Sequence, residues 1–210
     1  MFTGLIDHLG TVASLEPIES GYRLTIDTPV AAELASGDSI SVNGVCLTVV
    51  RQTATRFDAD IGPETARVTT LGDVGPGTLV NLERPMRPDS RMGGHFVLGH
   101  VDATGVLTEI RPDGEFYWIR VAFDPALGAY FIPKGSVAVD GISLTVAELG
   151  ASDFVVQIIP FTWEHTNLRG IKAGDRVNLE VDVIGKYVVR VAALAGTWPR
   201  AGAAALLDTP

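Results

Sequence analysis

The chain is poor in cysteine, in positive charge and in long apolar runs. One cysteine, Cys46, stands among 210 residues, so no disulfide can close within a single copy, and a reducing cytoplasm is the expected compartment. Lys and Arg total 16 against 25 Asp and Glu, a formal net charge of −9. A protein that grips a phosphate backbone needs clustered cations, so nucleic acid is not an expected partner. No run approaches the ~20 apolar residues of a membrane span, so no membrane partner is expected either. MFTGLIDHLG lacks the basic-then-apolar order of a secretion signal. Metal-ligand spacings such as Cys-x-x-Cys or His-Glu-x-x-His do not occur, and no bound metal is expected. GGHFVLG (93–99) has neither the Lys-Ser/Thr of a phosphate loop nor a strand–GxGxxG–helix setting. The apolar share of 46% is that of a folded globular protein rather than a disordered one.

The chain repeats itself. Shifted by 97 residues, SISVNGVCLTV from Ser39 falls on SVAVDGISLTV from Ser136, and the match runs ungapped to LVNLE (79–83) on RVNLE (176–180). Across 39–83, 18 of 45 aligned positions are identical, among them Gly44/Gly141, Leu47/Leu144, Thr48/Thr145, Phe57/Phe154 and Asn81/Asn178. At an offset of 95, GLIDHLGTV (4–12) falls on GHVDATGVL (99–107). The expected organisation is a first unit over 1–93, including the linker 84–93, a second over 94–183, and a tail over 184–210.

Each half reads as β. The two hairpin segments alternate apolar and polar residues around Asn43-Gly44 and Asp140-Gly141, the strongest short signal for a type I′ turn. TRFDADI, TLVNLE, YWIRVAF, DFVVQII and RVNLEVDVI add strands rich in β-branched and aromatic residues. Thr28-Pro29 and Asp124-Pro125 predict short helices leading into VAAELA and ALGAYF. The fold class is therefore all-β, two tandem antiparallel barrels of about six strands that leave no open sheet edge. Ile184, Tyr187, Val188, Val191, Leu194 and Ala195 recur at helical spacing, so residues 185–195 predict one amphipathic helix. Such a helix either lids the second barrel or pairs with copies of itself. Residues 196–210 show no pattern and read as a loose tail.

The repeats differ in their reactive groups. Cys46 is replaced by Ser143, Asn43 by Asp140, Gly37 by Lys134 and Pro85 by Asp182. Thr48 and Thr145 lie two residues beyond Cys46 and Ser143 and share their strand face. His95 and His100, five apart, point to opposite sides of an extended segment, which makes them a poor metal pair and one of them a structural histidine. Two similar pockets with different chemistry suit an enzyme that takes two copies of one substrate in opposite roles.

The start MFTG, the paired NGVCLTV and DGISLTV, the GGHxxxGHVD element and the IIPxT segment, in this order, resemble the riboflavin synthases, the two-barrel lumazine-binding family, over about residues 1–195. The resemblance implies two closed six-stranded Greek-key barrels with a C-terminal α-helix, assembled as a homotrimer through that helix. It implies a transferase that dismutates two 6,7-dimethyl-8-ribityllumazine molecules into riboflavin and a ribitylaminopyrimidinedione, with no metal or redox cofactor. The active site then lies between the N-terminal barrel of one subunit and the C-terminal barrel of its neighbour. By the same resemblance Phe2, Cys46, His100, Ser143 and Asp182 are the catalytic candidates. Thr3, Gly4, Ser39, Val45, Thr48, Gly62 and Thr65 match substrate contacts of the first half; Lys134, Gly141, Thr145, Ile159 and Thr162 match those of the second. Phe161, where the first repeat has Glu64, and Leu98 before Gly99 depart from the family pattern. Association with lumazine synthase is left open. The rival readings are a non-catalytic lumazine- or flavin-binding protein of the same fold, and a flavin-dependent reductase, which needs a Rossmann half that no βαβ pattern supplies.

Overall fold

The computed structural model describes residues 1–197, so the expectation for the tail falls mostly outside the described residues. Two closed antiparallel barrels follow one another. The first comprises β1 (His8–Ile18), β2 (Gly21–Asp27), β3 (Ser39–Val42), β4 (Val45–Gln52), β5 (Arg56–Ile61) and β6 (Leu79–Glu83), paired in the order β1-β2-β5-β4-β3-β6 and closed by β6 on β1. The second comprises β7 (Ala103–Asp113), β8 (Phe116–Ala122), β9 (Ser136–Val139), β10 (Ile142–Leu149), β11 (Asp153–Ile158) and β12 (Arg176–Val181), with the same connectivity. Even the bulges repeat: register slips between Val12 and Ser14 and between Val49 and Arg51, and again between Leu107 and Glu109 and between Val146 and Glu148. A bulge bends its strand and sharpens the twist, which a six-stranded barrel needs in order to close.

Both Gly-containing hairpins form as expected. Asn43 and Gly44 have φ of 46° and 78°, Asp140 and Gly141 45° and 78°. Inward-facing residues fill each barrel, around Leu24, Ile26, Ile40, Phe57 and Leu82 in the first. In the second, Phe123, Phe131 and Phe154 form one aromatic group, with centroids 4.6 to 5.9 Å apart.

The short helices expected after Thr28 and Asp124 form, as 3₁₀ segments over Pro29–Glu33 and Pro125–Tyr130, since the chain must enter β3 and β9 within a few residues. Two other local expectations need correction. Two short helices, α1 (Pro63–Val68) and α2 (Pro160–His165), occupy proline-led stretches that the alternation of apolar residues does not mark. The last strand stops at Val181, where Asp182 accepts the Ile184 amide at 2.9 Å and caps α3 (Val183–Leu194).

Helix α3 buries only Val189, pairs Lys186 with Asp102 at 2.7 Å, and leaves Ile184, Tyr187, Val188, Val191 and Leu194 58–71% exposed. The stripe expected from the sequence thus points to solvent, away from the barrel.

The barrels meet turn to turn. A Cβ on Gly44 would lie 2.7 Å from the Gly141 amide nitrogen, and the converse holds equally, so only glycine permits the approach. Around this point Asn81 Nδ2 donates to the Asp140 carbonyl (2.9 Å) and Asn178 Nδ2 to the Asn43 carbonyl (2.8 Å). Asp140 accepts from the Asn178 amide and from Asn167 Nδ2, both at 2.8 Å. Burial pushes the Asp140 carboxyl up to about 6 despite these donors. Its free value is ~3.9, so the folded state holds the proton more tightly. The stabilisation is complete below the unfolded value and is lost as pH rises through about 6. Going from pH 7 to pH 5, the wild type should gain about 1 kcal/mol over Asp140→Asn in denaturant unfolding. Parallel pH profiles for the two proteins would contradict this.

Candidate functional site

The alternation that buries Leu47 and Val49 in one barrel, and Leu144 and Val146 in the other, turns Cys46 and Thr48, Ser143 and Thr145 to the outer faces. Ser39 faces Thr48 across β3 and β4. Each outer face is walled by a segment that belongs, by the repeat, to the other half. The Cys46 amide donates to the Gly99 carbonyl at 2.9 Å, and the Ser143 amide to the Gly4 carbonyl at 2.8 Å. Between them Phe2 and Val97 exchange backbone hydrogen bonds at 2.7 and 3.1 Å. The approach requires glycine at both positions. Gly4 (φ +75°) and Gly99 (φ +80°) would place a Cβ within 2.6 and 2.5 Å of the Ser143 and Cys46 Cβ atoms.

The two faces differ chemically. On the second, His95 Nδ1 lies 2.7 Å from Ser143 Oγ. His95 is buried, and its Nε2 has no partner among the described residues. Burial pushes the imidazole below its ordinary value, while the nearby Asp182 carboxylate pulls the other way. A neutral ring in hydrogen-bond reach of a hydroxyl is a proton acceptor in place. His100 is exposed and follows Gly99, whose carbonyl accepts the Cys46 amide. His95 is the residue that sequence reasoning undervalued; its partner lies 48 positions away, with no local signal.

The other candidates are placed as follows. Phe2 is fully buried and packs with Val97, Ala138 and Cys46 between the barrels. Thr3 is buried beside Gly4. Val45 points into the first barrel and Gly141 abuts Gly44, so neither reaches an outer face. Gly62 and Ile159 precede α1 and α2, with Thr65 and Thr162 in their first turns. Ile159 is 50% and Phe161 66% exposed, and Phe161 stacks on His165 with centroids 4.1 Å apart. Lys134 is exposed and has φ of 66°, a left-handed backbone where the first repeat has Gly37 at 95°. A groove of about 840 Å³ runs past Thr3, Leu5 and Ser39 beneath the Arg84–Arg91 segment. Cys46 and Ser143 lie outside it, and Thr48 and Thr145 beside them are exposed.

Twin sites on a duplicated barrel define a class, and comparison with known proteins agrees. The lumazine binding domain model matches residues 3–85 and again 98–182; the chain belongs to that family. It is 47% identical to the riboflavin synthase of Mycobacterium tuberculosis (strain H37Rv) over 93% of this chain and all of that one. It is 41% identical to the riboflavin synthase of Bacillus subtilis (90% of this chain, 89% of that one). Against the Schizosaccharomyces pombe riboflavin synthase identity is 40% (91% and 93%). Among solved structures, LumP complexed with 6,7-dimethyl-8-(1'-D-ribityl) lumazine shares the fold at TM-score 0.78 and 21% identity, covering 86% of this chain and 99% of that one. LumP with riboflavin gives 0.80 and 23%, with the same coverage. No helix among the described residues is long and apolar enough to cross a membrane.

By NMR, one of the four imidazoles of the ligand-free protein should titrate below the free value of ~6.5, and its resonance should vanish in His95→Asn. A His95 midpoint at or above 6.5 would contradict the burial seen here.

Proposed function

We propose that the protein is a riboflavin synthase. It takes two molecules of 6,7-dimethyl-8-ribityllumazine, moves a four-carbon unit from one to the other, and releases riboflavin and 5-amino-6-ribitylaminopyrimidinedione. The products together contain the atoms of two substrates, so no oxidant or reductant is consumed. The observation that carries this reading is the pair of outer faces, alike in backbone and unlike in chemistry. Two identical substrates forced into opposite parts need such a pair. Identity of 40–47% to riboflavin synthases over at least 90% of the chain supports the enzyme over a non-catalytic binder, since the LumP structures share 21–23%.

On this reading, Ser143 and His95 hold and move a proton at the second face, and the Asp182 carboxylate favours the protonated ring. Cys46, Thr48 and Ser39 bind and orient at the first face, with His100 above them. Lys134 and Thr145 hold polar atoms of the ligand at the second, with Ile159 and Thr162 against its ring. An outer face lies open to water, which weakens every electrostatic interaction made on it. Apposing the first face of one subunit to the second face of another excludes that water and brings two substrates together. The exposed apolar stripe of α3 supplies the means: three helices packed stripe to stripe make a homotrimer.

Mixing the metal-free protein with 6,7-dimethyl-8-ribityllumazine should yield riboflavin, followed by absorbance, with no added cofactor. Ser143→Ala should slow turnover by about a hundredfold or more, the range for a proton-transfer group, and Cys46→Ser should slow it through lost orientation, while the ligand still binds in both. Tight binding without conversion in the wild type would instead establish a carrier. Deletion of residues 184–210 should give monomers in sedimentation; persisting trimers would make α3 a lid.

A further inference from the structure

Glu83 and Glu180 are equivalent in the two repeats, at the ends of β6 and β12, and are 4% and 2% exposed. Among the described residues neither carries a basic partner at salt-bridge distance; Lys186, near Glu180, pairs with Asp102 instead. Glu180 Oε1 accepts the Leu98 amide at 2.6 Å, and its Oε2 accepts the amides of Gly99 and His100, both at 3.0 Å. Glu83 Oε1 accepts the Thr3 amide at 2.6 Å and Thr3 Oγ1 at 2.7 Å, and its Oε2 accepts the Gly4 amide at 2.9 Å. Three donors converge on each carboxylate, a demand that only an acceptor-only group meets in full.

The held segments then cross. Residues 98–100, fixed by Glu180 of the second barrel, present the Gly99 carbonyl to Cys46 of the first. Residues 3–4, fixed by Glu83 of the first barrel, present the Gly4 carbonyl to Ser143 of the second, and the Thr3 carbonyl to the His95 amide at 3.1 Å. A carboxylate whose job ended at its own strand would not place the other barrel's reactive group at the end of its hydrogen-bond chain. We infer that Glu180 is a positioning residue for the first face and Glu83 for the second, each acting across the barrel boundary through the crossing segment. The inference rests on the two-site reading above. It means that neither face is set by its own barrel alone.

The test is a crossed comparison in the full chain, read by amide hydrogen exchange at Cys46 and Ser143. Glutamine keeps the size of the side chain but puts an N–H₂ against a backbone donor. Glu180→Gln should speed exchange at Cys46 about tenfold, equivalent to about 1.4 kcal/mol of local opening, and leave Ser143 within twofold. Glu83→Gln should do the reverse. If Glu180→Gln does not fold, Glu180→Asp withdraws the charge by one methylene and reads the same pair; Thr3→Val, which removes one donor, serves for Glu83. In turnover, each folded variant should lose mainly kcat, since the ligand surface remains while the reactive group drifts. Exchange that rises equally at both amides, or at the amide of the variant's own barrel, would overturn the inference. The exchange measurement needs no substrate, so its failure is distinct from a failure to make riboflavin.

Discussion

Everything in this molecule hangs on the contact between two turns. Because Gly44 and Gly141 lack side chains, the hairpins of the two barrels touch through backbone. That closeness lets Asn81 and Asn178 reach across to the opposite turn's carbonyl, and it sets the barrels in a near two-fold relation. The same relation carries β4 and β10 to where the crossing segments can reach Cys46 and Ser143. Buried amide and carboxylate groups are costly unless every donor and acceptor is matched, which makes such a network selective for one arrangement.

The duplication, the two glycine turns and the barrel class were legible in the sequence, because period-two alternation and Asn-Gly or Asp-Gly turns are local signals. That Cys46 shares a face with Thr48, and Ser143 with Thr145, followed from the same period; that the face is the outer one did not. The chain's crossings were not legible. The identity of Glu83 and Glu180 in the two repeats was visible, yet a glutamate ending a strand reads as a solvated charge until its burial is seen. His95 sits in a segment with no regular structure, and what gives it meaning is a contact 48 residues away. The helix boundary at Asp182 was blurred for another reason: DVI continues the apolar alternation of RVNLEV, and only the capping bond to Ile184 ends the strand.

The repeats show how a scaffold can be kept while its chemistry moves. The frame positions Gly44, Asn81 and Glu83 recur unchanged as Gly141, Asn178 and Glu180. Groups on or near the outer faces change: Cys46 becomes Ser143, Gly37 becomes Lys134. One frame position also drifts. Thr70 stands where Asn167 closes the network on Asp140, and its hydroxyl is left buried and unpartnered among the described residues. The change from Asn43 to Asp140 is matched on one side only.

The crossed segments carry a historical consequence. A chain of one barrel could not supply the arm that walls its own outer face, because that arm reaches away toward a second barrel. It would meet the need only by trading arms with a twin, each copy's Gly4 resting on the other's residue 46. The present molecule has the form of such a swapped pair joined end to end. Because the two halves are separate stretches of one chain, a substitution can alter one face and spare the other, as the unlike Cys46 and Ser143 illustrate; two identical copies of a single barrel have no such freedom.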